Sequence, residues 1–74
     1  MSATLRVTSA LKEFLGGREE ITIEVGRTVR EILVENHLKP ELIALVIVGN
    51  EQKTKDYLIQ DGDVVKVLAV IGGG

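Results

Sequence analysis

Gly26-Arg27-Thr28-Val29-Arg30-Glu31-Ile32-Leu33 is the stretch on which the fold turns. Thr28 and Glu31 stand three apart, the spacing of a capping box. The threonine hydroxyl satisfies one amide at the start of a helix and the glutamate reaches back to another. Val29, Ile32 and Leu33 then share one helical face, an apolar stripe that needs a second layer to cover it. Asn36-His37-Leu38-Lys39-Pro40 closes the helix, because the ring of Pro40 disfavours helical geometry at Lys39. His37 is read as lying in the last turn, where a positive charge is favoured by the helix dipole.

Working outward toward the amino terminus, Ile21, Ile23 and Val25 alternate with Thr22 and Glu24, the pattern of a strand with one wet face. Leu5 and Val7 alternate with Thr4, Arg6 and Thr8 in the same way. Between these strands, Leu11-Lys12-Glu13-Phe14-Leu15 has helix-like apolar spacing and is stopped by Gly16-Gly17. That pair is no phosphate cradle, since Arg18-Glu19-Glu20 stand where a P-loop needs lysine and a hydroxyl residue.

Toward the carboxyl terminus, Ala44-Leu45-Val46-Ile47-Val48 is apolar throughout. Such a strand has both faces covered, or one covered and one kept for a partner. Gly49-Asn50-Glu51-Gln52 is read as a turn and Lys53 to Lys55 as a short polar edge. Tyr57-Leu58-Ile59 leads to Asp61-Gly62-Asp63, a tight turn that places Gly62 at positive φ; the twelve-residue loop of a calcium site is missing. In the last strand, Val64 to Val70, the charge of Lys66 assigns its own face to the outside, and Leu68 and Val70 with it. An apolar patch there marks a partner contact, unless those residues cover an edge of the core. Two strands, a helix and further strands give an α+β fold, a mixed sheet packed on one main helix. A right-handed crossover lets the first and last strands lie parallel. One sheet face packs on Val29, Ile32 and Leu33, and the other is open.

Composition narrows the function. A chain of 74 residues is one small domain with a thin margin of stability. There is no cysteine, which suits a reducing compartment and leaves no thiol to carry sulfur. One histidine without cysteine argues against a structural zinc site; no metal and no bound cofactor is expected. Nine basic and eleven acidic residues are interspersed at net −2, unlike the basic stripe of a nucleic-acid binder. The start Met1-Ser2-Ala3-Thr4-Leu5-Arg6 does not read as a signal peptide, and no apolar run is long enough to span a bilayer. A cytoplasmic protein that touches neither membrane nor nucleic acid is expected. With no serine in an obvious triad, the chain has no catalytic pair of its own.

The candidate site is the end of the chain, Val70-Ile71-Gly72-Gly73-Gly74. Without Cβ atoms, three glycines can thread a narrow channel and leave the Gly74 carboxylate unhindered. Together with Val70 and Ile71 they reach about 17 Å when extended. A glycine-rich end is also the composition of a linker or a frayed terminus. The reactive reading is favoured because the glycines follow an apolar strand with no polar spacer and the chain stops there. The division expected is a domain over 1–70 and a flexible tail over 71–74.

Three stretches together resemble the β-grasp sulfur carriers, a ubiquitin-like family that includes the small subunit of molybdopterin synthase (MoaD) and the thiamine-pathway carrier (ThiS). Leu11-Lys12-Glu13-Phe14-Leu15-Gly16-Gly17-Arg18-Glu19-Glu20 resembles the segment after the first strand of molybdopterin-type carriers. Gly26 to Leu33 is similar to the Gly-x-Thr-Val helix entry of both types. Leu58-Ile59-Gln60-Asp61-Gly62-Asp63, continuing into Val70 to Gly74, is similar to their shared closing stretch.

The resemblance implies a β-grasp fold and a co-substrate rather than an enzyme, such as the small non-catalytic subunit of a molybdopterin-synthase-like complex. It implies that a ubiquitin-activating-like adenylyltransferase uses ATP to adenylate Gly74. Sulfur from a persulfide or sulfide then leaves a thiocarboxylate, which passes to a sulfur-accepting synthase subunit. Gly72 and Gly73 would thread the partner's channel, beside Ile71 and Val70, and Leu68 would stand at a docking position. The family's usual end has two glycines and this one has three. The early segment resembles the molybdopterin type and the end the thiamine type, so the residues leave the recipient pathway open. The alternative is a ubiquitin-like modifier, joined to lysines of other proteins through Gly74.

Overall fold

A computed structural model describes residues 1–8 and 10–69. Strand β1 (Ala3–Val7) is followed by a 3-10 turn at Lys12–Leu15, strand β2 (Glu20–Ile23) and helix α1 (Val29–Glu35). A second 3-10 turn at Pro40–Leu42, then β3 (Ile43–Val48), β4 (Glu51–Lys53) and β5 (Val64–Ala69) complete the order. The five strands form one sheet, β2-β1-β5-β3-β4. The first and last strands lie side by side and parallel, Leu5 opposite Val65 and Val7 opposite Val67, as expected of a crossover fold. All other pairings are antiparallel.

The capping box forms as the spacing dictates. The Glu31 amide donates to Thr28 Oγ1 at 3.2 Å, and the Thr28 amide donates to Glu31 Oε1 at 2.9 Å. Val29, Ile32 and Leu33 are buried against the inner sheet face, where they meet Leu5, Val7, Val46, Val65 and Val67. Among the described residues no polar or charged residue is fully buried, and the one buried side-chain polar atom without a hydrogen-bond partner is Thr8 Oγ1, so this core is held by apolar contact. Leu11 and Leu15 close one end of it, and Gly16, at φ 69°, caps the 3-10 turn in the left-handed region.

The helix ends differently from expectation. α1 stops at Glu35, and His37 lies beyond it at φ 65°, not in the last turn. The His37 amide donates to the Val34 carbonyl at 3.1 Å and the Leu38 amide to the Leu33 carbonyl at 2.8 Å, the paired bonds of a Schellman motif. Leu38 is thereby folded back beside Leu33, both buried. That apolar contact outweighs the poor fit of a histidine to left-handed backbone. Lys39 is extended (φ −78°, ψ 121°), as the following proline requires.

The turn after β3 is shorter than read. Gly49 and Asn50 alone, both at positive φ, connect Val48 to its partner Glu51. Glu51 and Gln52 therefore belong to strand β4 and not to the turn. The polar edge is present, but it begins two residues earlier than Lys53. Gly62, at φ 82°, turns the chain into β5 as expected.

Candidate functional site

β5 occupies the middle of the sheet, held by β1 on one side and β3 on the other. Its side chains alternate from Val64 to Val67: Val65 and Val67 are buried, while Val64 and Lys66 are exposed. The outward assignment made from the charge of Lys66 therefore holds. Leu68 is on the outer face with it, half-buried rather than fully exposed, because it stands opposite Leu45 of β3.

Leu45 reaches that face through a one-residue irregularity. Ala69 pairs with Ile43 and Leu68 with Leu45, so Ala44 is the extra residue of a bulge. Strict alternation would put residues 43, 45 and 47 on one face. The bulge returns Ile43 to the core, at 2% exposure, and leaves Leu45 and Ile47 outside, half-buried. Leu45, Ile47, Val64 and Leu68 consequently form an apolar patch on the open face. The uniformly apolar stretch 44–48 signalled that β3 had two apolar faces. Its junction with Leu68 depends on a register between distant residues, which is why the sequence alone did not assemble it.

The same face carries charge. Arg6 of β1 lies directly opposite Lys66 of β5, and Lys66 directly opposite Ile47. Arg6 is ion-paired with Glu20 of β2, its Nε donating to Oε2 at 2.7 Å. A shallow depression opens here, lined by Arg6, Ile47, Gly49, Asn50, Val64 and Lys66.

Asp63 accepts from the Tyr57 hydroxyl at 2.6 Å and from the Gln60 amide at 2.9 Å. That hydroxyl is held neutral to higher pH than an ordinary tyrosine, first by its bond to Asp63 and then by burial. Asp61 accepts from the Ser2 amide at 2.9 Å. Both carboxylates thus brace the turn that launches β5. Among the described residues no group of three or more histidine, aspartate or glutamate side chains could hold a metal ion. Among those residues, too, no helix is long and apolar enough to cross a membrane.

Of the candidate site residues, Leu68 alone falls within the described part of the chain; Val70, Ile71, Gly72, Gly73 and Gly74 lie outside it. The described residues thus end at Ala69, the last residue of β5.

Residues 5–74 match the model of the ThiS family, a span that includes all three of the quoted stretches and the glycine end. The chain belongs to the ThiS family. The sulfur carrier protein TtuB of Thermus thermophilus is 34% identical over 70 residues, covering 95% of this chain and 100% of TtuB. Among solved structures, one chain of the Amycolatopsis orientalis BexX/CysO complex superposes with a TM-score of 0.68 at 26% identity, covering 97% of this chain and 99% of that one. The Pyrococcus furiosus protein assigned as molybdopterin converting factor subunit 1 superposes at 0.72 and 18% identity, covering 96% and 99%. The ThiS-family chain therefore has the β-grasp fold expected of it, and the resemblance read from the three stretches is shown.

Proposed function

We propose that this ThiS-family chain is a sulfur carrier whose Gly74 carboxylate is adenylated and converted to a thiocarboxylate. The observation that carries the reading is the family match through residue 74, which takes in the full run Val70 to Gly74. It is supported by the 34% identity to a sulfur carrier protein over nearly the whole chain. In the first step a Gly74 carboxylate oxygen attacks the α-phosphorus of ATP, pyrophosphate leaves, and an acyl-adenylate forms. In the second, hydrosulfide attacks the acyl carbon and AMP leaves; loss of a proton gives the thiocarboxylate. A persulfide donor adds one requirement, a thiol that supplies two electrons to break its S–S bond. Activation is needed because a carboxylate is a poor electrophile and an acyl-adenylate a good one.

The carrier does not catalyse either step. We take residues 1–70 as the β-grasp body and 71–74 as the tail that enters the active site of a ubiquitin-activating-like adenylyltransferase. That partner binds the ATP, and a synthase subunit accepts the sulfur, in molybdopterin or thiamine biosynthesis. The cytoplasm is the setting this chemistry fits. Leu68, with Leu45 and Ile47 beside it, is the docking surface that brings the tail to the partner.

The test is intact-mass analysis after incubation with ATP, sulfide and the adenylating enzyme of the same organism. The expected product is heavier by the difference between a sulfur and an oxygen atom, and the shift disappears when Gly72, Gly73 and Gly74 are all removed. An unchanged mass refutes the proposal. Recovery of Gly74 in isopeptide linkage to lysines, with no thiocarboxylate formed, would assign the chain as a protein modifier instead.

A further inference from the structure

We infer that the depression on the open face is a carboxylate-recognition site, in which Lys66, flanked by Arg6 and Asn50, receives an acidic side chain of the activating partner. The inference rests on the docking reading above and adds the chemistry which that partner must present. Three observations lead to it.

The parallel register of β1 and β5 sets Arg6 and Lys66 directly opposite each other, an arrangement of like charges that is unfavourable in a sheet. Glu20 answers only one of the two, through its ion pair with Arg6. Among the described residues no carboxylate lies within ion-pairing distance of Lys66, and neither Lys66 nor Asn50 makes a side-chain hydrogen bond. Secondly, Lys66 is set in apolar surroundings, since its neighbour on β3 is Ile47 and the residues on either side of it along the same face are Val64 and Leu68. Thirdly, the depression brings Asn50, at the tip of the β3–β4 turn, to the same place, adding an amide donor to the two cations.

One unanswered positive charge matches a carboxylate, which carries one negative charge. The apolar rim determines how much such a pair contributes. An ion pair in open water is worth little, but a pair covered by a docked partner is screened less and selects against partners that lack the anion. Seated on Leu45, Ile47 and Leu68, the partner would exclude water from Lys66 at the moment its carboxylate arrives. Lys66 would then set which activating enzyme the carrier engages.

The experiment measures carrier-dependent ATP–pyrophosphate exchange by the adenylating enzyme of the same organism, with the native chain and with Lys66→Arg, Lys66→Gln and Lys66→Glu. Lys66 is exposed, and Lys66→Gln and Lys66→Glu relieve its opposition to Arg6, so no variant should melt below the native chain. The expected result is an unchanged kcat with KM raised about tenfold or more for Lys66→Glu and a few-fold for Lys66→Gln, and near-native behaviour for Lys66→Arg. Sodium chloride should raise the KM of the native chain and have a much weaker effect on that of Lys66→Gln.

Equal KM values for the native chain and Lys66→Glu, or equal salt dependence for the native chain and Lys66→Gln, would overturn the inference while leaving the sulfur-carrier reading in place. A native chain that supports no exchange at all strikes that reading and this inference with it. Sedimentation that shows a dimer of the free chain, dissolved by Lys66→Glu, would name a second copy as the occupant and overturn it as well.

Discussion

Thr28→Ala should lower the stability of the domain by about 1 kcal/mol. The substitution removes the acceptor for the Glu31 amide, a 3.2 Å bond at the first turn of a helix seven residues long. The Glu31 amide is near water, so it is rehydrated rather than left buried, which keeps the cost near the middle of the range for N-caps and not at its upper end. The bond from the Thr28 amide to Glu31 Oε1 uses the backbone and survives. Globular domains hold about 0.05–0.15 kcal/mol per residue, so the total here is about 4–11 kcal/mol and the loss is a substantial part of it.

Urea titration followed by circular dichroism should move the midpoint down by about 1 M at an unchanged slope, and the melting temperature should fall by about 4–8 °C. Thr28→Ser keeps the hydroxyl and should recover most of the difference. If Thr28→Ala matches the native midpoint within about 0.3 kcal/mol, or Thr28→Ser is as unstable as Thr28→Ala, then the cap contributes nothing and the helix is held by its buried stripe alone.

The carboxyl of Glu31 is held below its ordinary value of 4.5, first by the bond from the Thr28 backbone and then by its side chain. A depressed carboxyl stabilises the fold above its unfolded value, so this contribution is lost as pH falls from about 4.5 downward. Urea midpoints of the native chain and Glu31→Gln should differ at pH 7 and converge at acidic pH. For Tyr57 the sign is reversed: its folded value is raised above 10.0, so its contribution is present below that pH and is lost as pH rises beyond it. Tyr57→Phe should therefore remove the alkaline edge of the stability profile. His37→Gly should stabilise the domain by up to about 1 kcal/mol, because it relieves a left-handed backbone at φ 65°. A loss of stability in a thermal melt would refute the Schellman account of that helix end. Leu68→Asp should cost less than about 1 kcal/mol in urea, being only half-buried, and yet raise the KM for carrier-dependent ATP–pyrophosphate exchange severalfold. Equal KM values would remove Leu68 from the docking surface.

What the sequence determined by itself was whatever is encoded over three or four neighbours. The Thr28 and Glu31 spacing defined the start of α1, and the alternation of Leu5 with Val7 and of Val65 with Val67 named the inner sheet face. Gly62 marked the turn into β5. These are short-range facts, in which a side chain either can or cannot satisfy a backbone group one turn away. The three family-like stretches were legible for the same reason, and with them the β-grasp fold.

Only the tertiary structure decided the rest. The His37 conformation is imposed by the burial of Leu38 against Leu33, not by any preference of histidine. β4 exists because Gly49 and Asn50 turn tightly enough to pair Glu51 with Val48, and its own residues are too polar to announce a strand. The bulge at Ala44 and the alignment of Arg6, Lys66 and Ile47 in one row follow from pairing between strands far apart in the chain. Register is fixed by which face can be buried, and that is settled only when the whole sheet has a core to cover.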